Sequence, residues 1–75
     1  MNFDLLLDAS NLRCPTPIIQ TKSYISKLTK GQKLLVVVTE PSYAVDCQVF
    51  VRQSGHLLLH SWQEGEKFYF LMQSN

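Results

Sequence analysis

The sequence predicts an α+β domain of order β-α-β-α-β-β, with two helices covering one face of a mixed sheet. Three observations lead there. Short apolar runs rich in β-branched residues alternate with two longer stretches that carry helix start and stop signals. The last two runs are separated only by "QEGEK", a glycine-containing connection typical of a hairpin. Finally, the helical stripes must be buried against something, and a sheet face is what the chain offers.

The elements follow in order. "FDLLLDAS" is an apolar run ending in turn formers, and reads as a strand. "IIQTKSYISKL" puts Ile18, Ile25 and Leu28 on one side of a helix, with Ile19 beside them and Gln20, Lys27 and Lys30 towards water. Gly31 then suits the residue just past the helix. "KLLVVVT" is a continuous apolar run, expected for a strand buried on one or both faces. In "EPSYAVDCQVFVRQSG" the apolar residues nearly alternate, but Pro41 and Ser42 open it and Gly55 closes it as they would a helix. "HLLLHSW" and "KFYFLMQ" are the closing strands.

At 75 residues, a single domain spanning 1–75 is expected. With 45% hydrophobic and 17% charged residues, the chain can build a core and is not of the disordered class. A net charge of +1 without a basic cluster argues against a phosphate-backbone binder, so no direct nucleic-acid partner is expected. Asp4 and Asp8 interrupt the first apolar run, which excludes a leader there, and no run reaches transmembrane length. Cys14 and Cys47 are too few for a disulfide scaffold. The expectation is a reduced, cytoplasmic protein without membrane insertion.

The chemistry concentrates in "LRCPTPII", Leu12 to Ile19. A residue before proline is pushed towards extended backbone, so Cys14 before Pro15 and Thr16 before Pro17 are both expected to be extended. Thr16 then suits the N-cap and Pro17 the first helical position. Cys14 falls just ahead of a helix N-terminus, whose partial positive charge favours a thiolate. Arg13 and Lys22 can add positive potential. The competing reading is a small buried hydrophobe, as free cysteines commonly are. The stiff proline bracket and the loop position favour a reactive sulfur, because connecting loops run over the surface.

"LDASNLRCPTPII" resembles the signature of the TusA/SirA family of small sulfur carriers, in which a short strand leads through L-R-C-P-x-P into a helix. "GQKLLVVVTEP" is similar to that family's second strand with its acidic-Pro pair, and "SGHLLLHSWQEGEKFYF" to its closing hairpin. The resemblance implies a two-layer α/β sandwich with a four-stranded mixed sheet. It implies a sulfurtransferase, a stoichiometric persulfide relay in which Cys14 accepts sulfane sulfur without a cofactor. Arg13, Pro15, Thr16, Pro17 and Lys22 would set geometry or hold a partner. The implied partners are a cysteine desulfurase or other sulfur donor and a downstream acceptor protein, leading for example to tRNA thiolation; the implied state is a monomer. The alternative is a non-catalytic module of the same fold, docking on a transporter or regulator. Two departures stand out. Many members end in a basic residue after the last strand, whereas this chain ends "LMQSN". Cys47 falls where the family usually has an apolar residue, and so is not read as a resolving thiol.

Other candidates are weaker. His56 and His60 have the spacing of a zinc half-site. On a strand, however, residues four apart are separated by roughly 13 Å, too far to share a metal. There is no Cys-x-x-Cys and no glycine-rich phosphate loop. Asp8 and Asp46 suit turns, caps or the surface. Tyr43, Phe50, Trp62, Phe68, Tyr69 and Phe70 suit a core and an apolar surface rather than a base-stacking platform.

Overall fold

The computed structural model describes residues 2–13 and 15–75. Its elements are β1 (Leu5–Ala9), α1 (Thr16–Ile25), β2 (Lys33–Val38), α2 (Tyr43–Ser54), β3 (Leu57–Glu64) and β4 (Lys67–Gln73), the order expected from the sequence. The sheet order is β1-β2-β4-β3, with β1 parallel to β2 and the other neighbours antiparallel. It is therefore mixed. The parallel pair is joined by a crossover through α1, and the antiparallel β3–β4 pair by the turn at Gly65, where φ is 60°.

Side-chain alternation divides the two faces. Leu7 and Ala9 of β1, Leu34, Val36 and Val38 of β2, and Phe70 and Met72 of β4 form the core with Ile25 of α1 and Tyr43 and Cys47 of α2. Each large apolar side chain buried there contributes about 1.5–3 kcal/mol. On the opposite face Val37 and Leu71 are nevertheless buried. They lie among their own strand neighbours, including a stacked Trp62–Tyr69 pair with ring centroids 5.1 Å apart. A register shift between Leu58 and His60 bulges β3 at the sheet edge, a feature the sequence did not signal.

Helix α1 is shorter than its periodicity predicts. It ends at Ile25 with Ser26 as C-cap, so Leu28 and Gly31 lie beyond it. The chain tightens there through i→i+3 bonds, Lys27 N–H to the Tyr24 carbonyl (3.1 Å) and Leu28 N–H to the Ile25 carbonyl (3.1 Å). The Ser26 hydroxyl donates to the Ser23 carbonyl (2.6 Å), which competes with continued helix. Leu28 still packs on the core. Gly31, at φ 90°, instead turns the chain into β2 and donates its N–H to the Ser74 carbonyl (2.8 Å). Gln20, expected to face water, is half-buried. Helix α2 ends at Gly55 with φ 83°, the left-handed conformation that only glycine adopts without strain.

Candidate functional site

The loop leaving β1 is built by local hydrogen bonds. Asp8 accepts from the Ser10 hydroxyl (2.6 Å) and the Ser10 N–H (3.1 Å), and these bonds hold its carboxyl below the usual range. The Leu12 N–H reaches back to the Ala9 carbonyl (3.3 Å), closing a turn whose third residue, Asn11, has φ 67°. Asparagine tolerates that conformation better than other non-glycine residues. The Asn11 N–H is held by the Thr39 hydroxyl (2.9 Å), which ties the loop to the end of β2. Leu12 packs against the core, while Arg13 is exposed.

Cys14 lies outside the described residues. The Thr16 N–H donates to the Arg13 carbonyl (2.9 Å), and the Ile19 N–H to the Pro15 carbonyl (3.2 Å), which begins α1. The helix therefore starts one residue earlier than expected. Pro15, at φ −92° and ψ 9°, occupies the cap position, and no side chain caps the helix. Thr16 is the first helical residue, neither the N-cap nor extended, and Pro17 the second. The pre-proline preference yields here because the first turn needs no N–H from Pro17, and the Thr16 N–H already has a partner. Thr16 is exposed and Pro17 is buried.

The positive end of α1 thus offers few amide donors. Neither proline has an N–H, and that of Thr16 is taken. No acidic residue lies in the first turn to offset the helix dipole. Pro15 and Lys22 come together in a groove of about 260 Å³ between α1 and α2, also lined by Ile18, Asp46, Val49, Phe50 and Gln53. The Lys22 ammonium lies 5.8 Å from the Phe50 ring centroid, a cation–π contact worth about 0.5–1 kcal/mol at an exposed site. Arg13 and Thr16 are not among the lining residues.

Sequence reasoning missed a buried polar chain behind this loop. The Thr21 hydroxyl donates to the Pro17 carbonyl (2.8 Å) and lies 2.8 Å from the Tyr43 hydroxyl. Thr21, Tyr43 and Cys47 are each 0% exposed. The available signals, a threonine four residues after a helix-starting proline and a tyrosine opening the second helix, are too common to single out.

Cys47 is the second thiol, and its surroundings suppress reactivity. Burial pushes its pKa up to about 11, against a smaller lowering effect of the Tyr43 hydroxyl. Burial likewise raises the Tyr43 phenol. Both groups stay protonated at neutral pH. A raised folded-state value means full stability below the ordinary thiol value of 9.0 and loss as pH rises towards about 11. The unfolding free energy from urea titrations should therefore fall across that alkaline window, by about 2–3 kcal/mol for Cys47 alone. Tyr43 adds to the loss in the same direction. Cys47→Ser removes the Cys47 part, so an unchanged alkaline slope in that variant would contradict this account.

Among the described residues no group of three or more His, Cys, Asp or Glu side chains is placed to hold a metal ion. The His56 Nδ1 accepts the Asn75 N–H (3.0 Å), so His56 secures the end of the chain, and His60 is exposed on β3.

Comparison with known proteins agrees with this arrangement. Residues 6–74 match the family described as Sulfurtransferase TusA. The chain is 40% identical to the sulfur carrier protein TusA of Allochromatium vinosum, over 99% of this chain and 97% of that relative. It is 37% identical to the putative sulfur carrier protein YrkI of Bacillus subtilis, over 97% of each. It is 33% identical to TusA of Pseudomonas putida, over 89% of this chain and 84% of that one. With a family match over nearly its whole length, and with a strand and loop leading into α1, the chain belongs to the TusA family.

Proposed function

We propose that this chain is a sulfur carrier in which Cys14 receives sulfane sulfur as a persulfide and passes it to an acceptor thiol. The observation that carries the reading is the family match over residues 6–74, which includes the Cys-Pro-Thr-Pro run at the entrance of α1. Similarity to proteins named sulfur carriers supports it.

In the loading step the Cys14 thiolate attacks the outer sulfur of a donor persulfide. A bond forms between Cys14 Sγ and that sulfur, the donor's S–S bond breaks, and the donor leaves as a thiolate. In the unloading step an acceptor thiolate attacks the outer sulfur of Cys14, and Cys14 leaves as a thiolate. Neither step changes the net oxidation level, so no cofactor is needed. Both follow the rules of thiol–disulfide exchange, where nucleophile ionisation, leaving-group pKa and access set the rate.

One feature serves both steps. Cys14 is two residues ahead of Thr16, where α1 begins, so the positive helix end favours the thiolate as nucleophile and as leaving group. We assign this stabilisation to the helix field and to cations close in the chain, since the first turn has few amide donors. Exposed Arg13 supplies one such cation, and Lys22 in the groove can orient a partner.

The donor we propose is a cysteine desulfurase and the acceptor a second relay protein, both met in the cytoplasm. Incubation with a cysteine desulfurase and free cysteine, followed by mass measurement, tests the proposal. One added sulfur that a reductant removes is expected. An unchanged mass with desulfurase, polysulfide and thiosulfate alike would overturn it.

A further inference from the structure

We propose that Tyr43 is a positioning residue for the sulfur-carrying loop, acting through Thr21 on Pro17. The inference rests on the assignment of Cys14 as the sulfur carrier and names a device that holds its surroundings.

The geometry has a single direction. The Pro17 carbonyl can only accept, so the Thr21 hydroxyl donates its one hydrogen there (2.8 Å). The Tyr43 hydroxyl must then donate to Thr21 Oγ1 (2.8 Å). All three side chains are fully buried, where a hydrogen bond meets no competition from water. Tyr43 is anchored in turn by an edge-on contact with Phe70 of β4, ring centroids 4.9 Å apart. Because β4 lies between β2 and β3, the chain of contacts runs from the middle of the sheet to the second proline of Cys-Pro-Thr-Pro.

This strut stands in for what the helix start lacks. Helix α1 has no side-chain cap and no acidic residue in its first turn, and two prolines remove amide donors there. A capping side chain would occupy the positive end and compete with an anionic sulfur. Holding the turn from inside, through the Pro17 carbonyl, leaves that end open. A supporting shell of this kind fixes a loop whose described residues Arg13, Pro15 and Thr16 are exposed.

Tyr43→Phe keeps the ring and removes only the hydroxyl. Thr21→Val removes the hydroxyl that touches Pro17, and Thr21→Ser restores it. Two readouts are compared on protein shown to be folded by circular dichroism. One is the rate of sulfur transfer from a desulfurase-loaded sample to a thiol acceptor. The other is the pH profile of Cys14 alkylation by iodoacetamide, read on its peptide by mass spectrometry. Tyr43→Phe and Thr21→Val should slow transfer about ten-fold, the scale of loss that a small misplacement brings. Both should move the alkylation midpoint upward, because the first turn of α1 is no longer held in place, while Thr21→Ser keeps parental behaviour. Should Tyr43→Phe lower the folded fraction, the Thr21 pair decides. Folded variants with parental transfer and a parental alkylation profile would overturn the proposal, even if their melting temperatures fell. If the parent itself takes up no sulfur, the carrier reading fails, and the alkylation profiles still decide whether Tyr43 positions the loop.

Discussion

Cys14→Ser is expected to abolish sulfur uptake, leaving the variant at its calculated mass after incubation with desulfurase and cysteine. Serine has nearly the same shape, so the loop keeps its hydrogen bonds from Leu12 to Ala9 and from Thr16 to Arg13. What it lacks is an ionisable sulfur. A hydroxyl is not ionised at neutral pH and cannot hold a persulfide, whereas thiolate attack is the step on which exchange depends. The other thiol of the chain cannot substitute. Cys47 is 0% exposed, and burial pushes it up to about 11. Cys47→Ser should therefore load like the parent. Uptake by Cys14→Ser, or loss of uptake in Cys47→Ser, would reverse the assignment of the two cysteines.

Tyr43→Ala should cost about 3–5 kcal/mol, the range for truncating a large, fully buried side chain. Tyr43 is 0% exposed, packs edge-on to Phe70 and links α2 to α1 through Thr21. The change opens a cavity and leaves the buried Thr21 hydroxyl without its Tyr43 partner. A domain's whole stability is about 5–15 kcal/mol, so the urea midpoint should drop steeply and part of the population should be unfolded at physiological temperature. Val45→Ala on the same helix is the control. Val45 is 65% exposed, and its truncation should shift stability by no more than about 0.5 kcal/mol. Equal midpoints for the two variants would show that Tyr43 does not hold the helices to the sheet.

The strands and the second helix were legible because their signals are local. The β4 run "KFYFLMQ" becomes β4 residue for residue, and the apolar run of β2 is buried on both faces at Val36 and Val37. Gly55 ends α2 because its left-handed backbone is a property of that residue alone. Helix α1 was read less well at both ends. Its start depends on which of two prolines the first turn accommodates, and its end on a serine hydroxyl competing for a carbonyl. Both are settled by hydrogen bonds that periodicity does not encode.

By itself the sequence determined the strand–helix order and the place of the cysteine in the loop just ahead of α1, since these follow from residue type and spacing along the chain. Only the tertiary structure decided that Lys22 meets Pro15 in a groove against Phe50, that Cys47 is sealed in the core, and that Tyr43 reaches Pro17 through Thr21. The Lys22–Phe50 and Thr21–Tyr43 contacts join residues more than twenty positions apart. They arise because two helices packed on one sheet face bring together side chains whose separation in the sequence carries no sign of their contact.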